Sequence, residues 1–273
     1  MVDKNIVQPK TWSEVYEALF ADTYNARINR YKSRFAYRGV SSSSYKLETS
    51  LMRLGGEYAK VEPHLLRQFR KYAYKYQSDH ENEWFWLSIA QHHGLPTRLM
   101  DWTYSPEVAL HFATQDPDKF DRDGAIWMVN YKKAHQMLPP SLLGIVQEKN
   151  TWILTVDILD DMFLDLAALD EKSSRYDDFV IFFEPPSIDD RIYNQFAYFS
   201  LMSKPTIYMD EWLQDKPDLW KKIIIPASLK WEIRDKLDQN NINERTLFPG
   251  LDGLTKWLRR YYYPTGSAAS DHK

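Results

Sequence analysis

Cysteine is absent from the 273 residues, which removes disulfide frameworks, thiolate zinc sites, iron–sulfur clusters and cysteine nucleophiles together. Glycine is scarce, at nine residues, and neither the G-x-G-x-x-G pattern nor the phosphate loop G-x-x-x-x-G-K-[ST] occurs. The G-x-S-x-G elbow of serine hydrolases is missing too. No apolar run approaches the roughly 20 residues a membrane helix needs; the longest, such as 179–183 and 223–225, are strand-sized. Charge of neither sign dominates. The 35 Lys and Arg against 38 Asp and Glu leave a net charge of -3, so nothing global asks for nucleic acid or an anionic membrane. The opening MVDKNIVQPK has no apolar h-region, which argues against a secretory signal and for a cytoplasmic address.

What is abundant is aromatic surface: 15% of the chain, with ten Trp and eighteen Tyr, enough to line a core or a cleft. No repeat and no Gly/Ser- or Pro-rich tract divides the sequence, so one domain is expected over 1–264 with a flexible tail over 265–273. Apolar spacing predicts helices at 12–30, 63–77, 83–93, from Ser105 and Pro106 onward, around 158–170, and at 227–237 and 253–261. Strands are expected at 35–40, 125–130, 179–183, 196–202, 206–208 and 222–225, with the four serines after Val40 forming a flexible loop. Helices early and strands late predict an α+β domain, helices packed around a mixed, mainly antiparallel sheet. In 63–77, Arg67, Lys71 and Lys75 recur at four-residue intervals. That pattern reads as a solvated face, or as phosphate contacts with Tyr72, Tyr74 and Tyr76 stacking on bases.

The chemistry-bearing residues crowd into 91–112, QHHGLPTRLMDWTYSPEVALHF, around a Gly- and Pro-containing turn between two helices. His92, His93 and His111 with Asp101 are the candidate metal set. Adjacent helical residues project about 100° apart, so His92 and His93 are poorly placed to share an ion, and no metal is expected. Arg98 and Asp101 can pair to fix the turn. Alternatively, Arg98, like Arg38 at the end of the Tyr-Arg-Gly strand, can clamp a phosphate or carboxylate through its planar fork.

These residues carry a resemblance. Phe35-x-x-Arg38-Gly39, then Gln91-His92-His93-Gly94-Leu95-Pro96-Thr97-Arg98-x-x-Asp101-Trp102, then Ser105-Pro106-x-x-Ala109-x-x-Phe112-Ala113 closely resemble the FRG domain, a bacterial and phage family. Asp190-Arg191-Ile192-x-x-Gln195 and Leu247-Phe248-Pro249-Gly250-Leu251-Asp252-Gly253-Leu254 resemble its C-terminal signatures, so the matched blocks run from 35 to 254. Phe196 follows Gln195 where the family often has Gly.

A weaker similarity is to mono-ADP-ribosyltransferases, in the order Arg38-Gly39, Asp101-Trp102-Thr103, Ser105-Pro106, Gln195. It implies an ADP-ribosyltransferase-like fold and NAD as substrate, in a toxin or phage-defence effector. Arg38, Gly39 and Ser105 would bind NAD, with Thr103 lining the nicotinamide pocket, and Gln195 would stand where the catalytic Glu is expected. The expected catalytic set is Arg38, His92, Arg98, Asp101 and Gln195, with Glu184 or Asp190 as substitute acids. An oxocarbenium-like state gains from a nearby carboxylate, and Gln supplies a hydrogen bond without the charge. The acceptor would be a macromolecule or a nucleotide. The alternatives are a nucleotide or single-stranded nucleic-acid binding module, and a His/Asp-based hydrolase or nuclease. No membrane partner is expected.

Overall fold

The computed structural model describes residues 4–76 and 82–263; the expected tail at 265–273 and Gln77 lie outside them. Period-2 apolar patterning gives the strands their two faces. They are β1 (Ile6–Val7), β2 (Tyr24–Asn25), β3 (Arg30–Tyr31), β4 (Phe35–Val40), β5 (Met100–Thr103), β6 (Gly124–Asn130), β7 (Leu154–Thr155), β8 (Val180–Glu184), β9 (Ala197–Met202) and β10 (Trp220–Ile225). Eight form one sheet in the order β1-β10-β6-β4-β5-β9-β8-β7, and β2 and β3 pair separately as a hairpin. Neighbours are antiparallel except at the two edges, where β1 lies parallel to β10 and β7 to β8.

The principal helices are α1 (Trp12–Phe20), α2 (Tyr58–Ala73), α3 (Glu83–His92), α4 (Pro106–Ala113), α5 (Tyr131–His135), α6 (Pro140–Glu148), α7 (Val156–Met162), α8 (Leu166–Ser173), α9 (Asp190–Asn194), α10 (Met209–Gln214), α11 (Lys230–Gln239), α12 (Glu244–Leu247) and α13 (Leu251–Tyr261). The domain is α+β. On one face of the sheet, α1, α4 and α11 pack on Tyr37, Ile126, Met128 and Ile223. Farther along that face, α3 and α6 to α8 pack on Ile181, Phe183 and Phe199. The opposite face, Trp127, Phe182 and Tyr198, is covered by α5 and α10.

Several boundaries differ from those the sequence suggests. The helix predicted over 12–30 stops at Phe20, and the Tyr24–Tyr31 stretch is a hairpin instead. The expected helix over 63–77 begins a turn earlier, at Tyr58. Its buried positions are Glu62 and Leu66, while Tyr72 is exposed. The acidic stretch expected as one helix over 158–170 is broken into α7 and α8, with Asp165 capping the second. No strand forms at 206–208; Tyr208 precedes α10. The serine loop is tethered, Ser43 donating its backbone N–H to the Asp123 carbonyl at 2.7 Å. The largest difference is β5, a central strand where a turn between two helices was expected.

Candidate functional site

β4 and β5 share one registered pair, Tyr37 with Thr103, and the sheet parts between them. At that opening lies a cleft of about 650 Å³. Arg38 on β4 reaches across it: Nη1 donates to the Asp101 carbonyl at 2.5 Å and lies 4.0 Å from Asp101 Oδ2. Its Nε is buried without a partner among the described residues. An unmet buried donor is costly, so a cleft ligand offering an acceptor gains from it. Burial pulls the Arg38 pKa below its usual value, Asp101 opposing and Arg53 adding to the shift.

The glycine of Arg38-Gly39 is required by packing. A Cβ on Gly39 would stand 1.8 Å from the Ala109 carbonyl oxygen and 2.7 Å from the Ala113 nitrogen, both backbone atoms of α4. Ser105 and Pro106 start α4 there, the Ser105 hydroxyl accepting the Val108 N–H at 3.3 Å. Asn82 caps α3 at its start, and Gly94, at φ 83, ends it in the left-handed region that favours glycine. The last turn of α3 thereby delivers Gln91, His92 and His93 to the cleft.

Gln91 is a relay. Its Nε2 donates to Asp101 Oδ1 and Oδ2, each at 3.0 Å, and its Oε1 accepts the Thr97 hydroxyl at 2.6 Å. Asp101 is otherwise open, its side chain 61% exposed. His92 Nε2 meets Asp189 Oδ2 at 2.5 Å. Burial lowers the His92 pKa below its usual value although Asp189 pulls the other way, so the ring is neutral at pH 7. Asp189 is held below the usual carboxylate range: burial opposes the charge, and the Ile192 N–H and His92 outweigh it.

Of the five expected catalytic residues, Arg38, His92, Asp101 and Gln195 line the cleft and Arg98 does not. Arg98 is buried in a structural ion pair. Its Nε meets Glu62 Oε2 at 2.6 Å and Nη1 meets Asp170 Oδ1 at 2.6 Å, tying the turn to α2 and α8 rather than to Asp101. Burial disfavours its charge, but Glu62 and Asp170 more than offset that and raise its pKa. Gln195 is committed as well, its Nε2 donating to the Leu247 carbonyl at 2.9 Å. Thr103 lines the cleft with its hydroxyl donated to the Gln195 carbonyl at 2.7 Å, whereas Ser105 serves as the helix cap. Neither substitute acid lines the cleft: Glu184 accepts the Tyr104 hydroxyl at 2.5 Å, and Asp190 is exposed on α9. His111 is buried against Arg234, Nδ1 to Nη1 2.8 Å, and among the described residues no group of three His, Asp or Glu is placed to hold a metal ion.

Residues that sequence reasoning passed over are Gln91, Arg53, Asp189 and Arg191. Gln91 and Arg191 stand inside the motifs; Arg53 and Asp189 carried no signal beyond their charge. Arg38, Arg53 and Arg191 line the cleft with a single carboxylate, Asp101, so the lining is cationic within an acidic chain.

Residues 33–122 match the FRG domain family. Over that third of the chain the sequence is similar to the FRG domain. The match takes in β4, α3, β5 and α4, and so the Arg38 and Asp101 sides of the cleft. The Arg191–Gln195 wall lies beyond residue 122, contributed by the chain that follows the matched FRG segment. No curated protein and no solved structure matches the chain. Among the described residues no helix is long and apolar enough to cross a membrane.

Proposed function

We propose that the cleft binds NAD and that the protein transfers ADP-ribose from it, drawing on a cytoplasmic pool, as a toxin or phage-defence effector would. The observation that carries this reading is the convergence of Arg38, Arg53 and Arg191 around Asp101. Guanidinium forks suit a pyrophosphate, which presents paired anionic oxygens, and the unpartnered Arg38 Nε is a donor ready for one.

In the reaction, the bond between ribose C1′ and nicotinamide breaks, and nicotinamide leaves with the electron pair, becoming neutral. Positive charge develops on the ribose. Asp101, the carboxylate of the cleft, stabilises it. The acceptor's lone pair forms the new bond to C1′, and its proton passes to His92, neutral at pH 7 and oriented by Asp189. Gln195 supports the wall of the cleft through Leu247. A second reading, nucleotide binding without turnover, draws on that same commitment of Gln195, an amide rather than an acid at the position where the resemblance expects the acid.

The test is release of nicotinamide from NAD by the purified protein, with and without cell extract as acceptor. Release that falls at least 100-fold in Asp101→Asn and in Arg38→Ala supports transfer. Tight NAD binding with no release in either condition favours the second reading.

A further inference from the structure

A second groove, of about 640 Å³, shares no lining residue with the cleft. It lies beneath the β2–β3 hairpin, where the sequence between Tyr24 and Arg34 carries Arg27, Arg30, Lys32 and Arg34 and no acid. The hairpin is a built element. Lys32 N donates to the Thr23 carbonyl at 2.8 Å, Ile28 N to the Asn25 carbonyl at 3.2 Å, and Asn29 takes the left-handed conformation at φ 50 that closes the turn.

Arg27, Lys32 and Arg34 line the groove with Lys133 and Lys221, against Asp22 and Asp218. Lys221 is paired with Asp22, and Lys133 donates to the Asp218 carbonyl at 3.2 Å. Arg27, Arg30, Lys32 and Arg34 are exposed and have no ion-pair partner among the described residues. Folding does not explain four uncompensated cations on one ribbon of a chain whose net charge is -3. Beside them Tyr24 and Tyr31 are exposed, their ring centroids 5.2 Å apart, and Tyr31 is 75% open to solvent.

We propose that this groove binds single-stranded nucleic acid, its phosphates following Arg27, Lys32 and Arg34 while a base stacks on Tyr31. A cationic track with an exposed ring beside it is the arrangement that recognises unpaired strands without reading sequence. An anionic membrane would call for several large aliphatic side chains beside the charges, and the ribbon's tip exposes one, Ile28. The inference does not depend on what the cleft does.

The experiment is fluorescence anisotropy of labelled oligo-dT and oligo-U, each about 20 nucleotides, against the full chain across a salt series. The three groove-lining cations predict a slope of log K against log salt of about -2, from about -0.7 per contact on a single strand. The double variant Arg27→Gln/Lys32→Gln cuts that slope to about -0.7 and weakens binding at low salt at least 10-fold. Tyr31→Ala weakens binding about 5-fold or more, within the range of a lost stacking contact, and leaves a duplex of equal length unaffected. Both variants alter exposed hairpin side chains, and unchanged circular dichroism confirms their fold. No binding at about 50 mM salt, binding unmoved by the double variant, or equal affinity for duplex with no effect of Tyr31→Ala would each overturn the proposal.

Discussion

Replacing Arg98 separates a structural arginine from a functional one, and the structure sets the size of the effect. The guanidinium is 1% exposed and engages Glu62, itself 1% exposed, while Glu62 Oε1 also accepts the Arg98 backbone N–H at 2.7 Å. Arg98→Met keeps most of the volume and strands the Glu62 carboxylate in the interior. Removing one partner of a buried pair costs about 3–5 kcal/mol, which for a domain of this size lowers the melting temperature by roughly 10 °C. Burial already raises the Glu62 pKa in the wild type against the opposing pull of Arg98, and the variant enlarges the pH dependence that follows. Without its cation, Glu62 has a folded pKa above its unfolded one, so the stability its protonation provides is complete at low pH and is lost as pH rises through the folded pKa. The deficit is therefore smaller at pH 5 than at pH 8. Adding Glu62→Leu restores part of the loss, because two apolar groups replace a broken pair. Urea denaturation of the two variants at both pH values measures all three effects. Loss of less than 1 kcal/mol in Arg98→Met, or lost ligand binding with stability intact, would refute the structural assignment.

Gly39→Ala forces a Cβ to 1.8 Å from a backbone oxygen of α4. Overpacking against a backbone that cannot swing aside should cost about 3 kcal/mol or more and weaken any ligand of Arg38, as urea midpoints and titrations would show; a neutral change would contradict the packing argument. Phe196, at φ 48, sits in a left-handed conformation that costs about 1–2 kcal/mol for a residue with a Cβ. Phe196→Gly should therefore match or exceed wild-type stability and Phe196→Val fall below it, and the reverse order in urea denaturation would contradict this. Burial pushes the His135 pKa down to about 4, with Nδ1 donating to the Trp152 carbonyl and Nε2 accepting the Phe182 N–H. Unfolding restores a value near 6.5, so stability is complete above pH 6.5. It declines by roughly 3 kcal/mol as pH falls towards 4. A His135 resonance titrating near 6.5 in the folded protein would contradict it.

Where local chemistry decides the structure, the sequence was readable. Ser105 and Pro106 start α4, Gly94 ends α3, and the strands expected at 179–183 and 222–225 appear, within a residue or two, as β8 and β10. β5 was illegible because its four residues, MDWT, are too few for a period and gain their structure from β4 and β9 on either side. The hairpin was missed because Tyr24 and Ile28 mimic helical spacing, whereas the chain is turned by Asn25 and by Asn29 at φ 50. In the site, Arg38, His92, Asp101 and Gln195 converge as the motifs suggest. Arg98 looked identical to them in sequence because its partners, Glu62 and Asp170, lie 36 and 72 residues away. Charge type marks a candidate; only the partner tells whether the charge is spent.

The most direct test of the account is calorimetric titration of the protein with ADP-ribose, repeated for Arg38→Ala. The account predicts saturable binding to one site that Arg38→Ala weakens by at least 30-fold while unchanged circular dichroism shows the fold retained, since Arg38 lines the cleft. Binding that is absent in the wild type, or unchanged in Arg38→Ala, would contradict it.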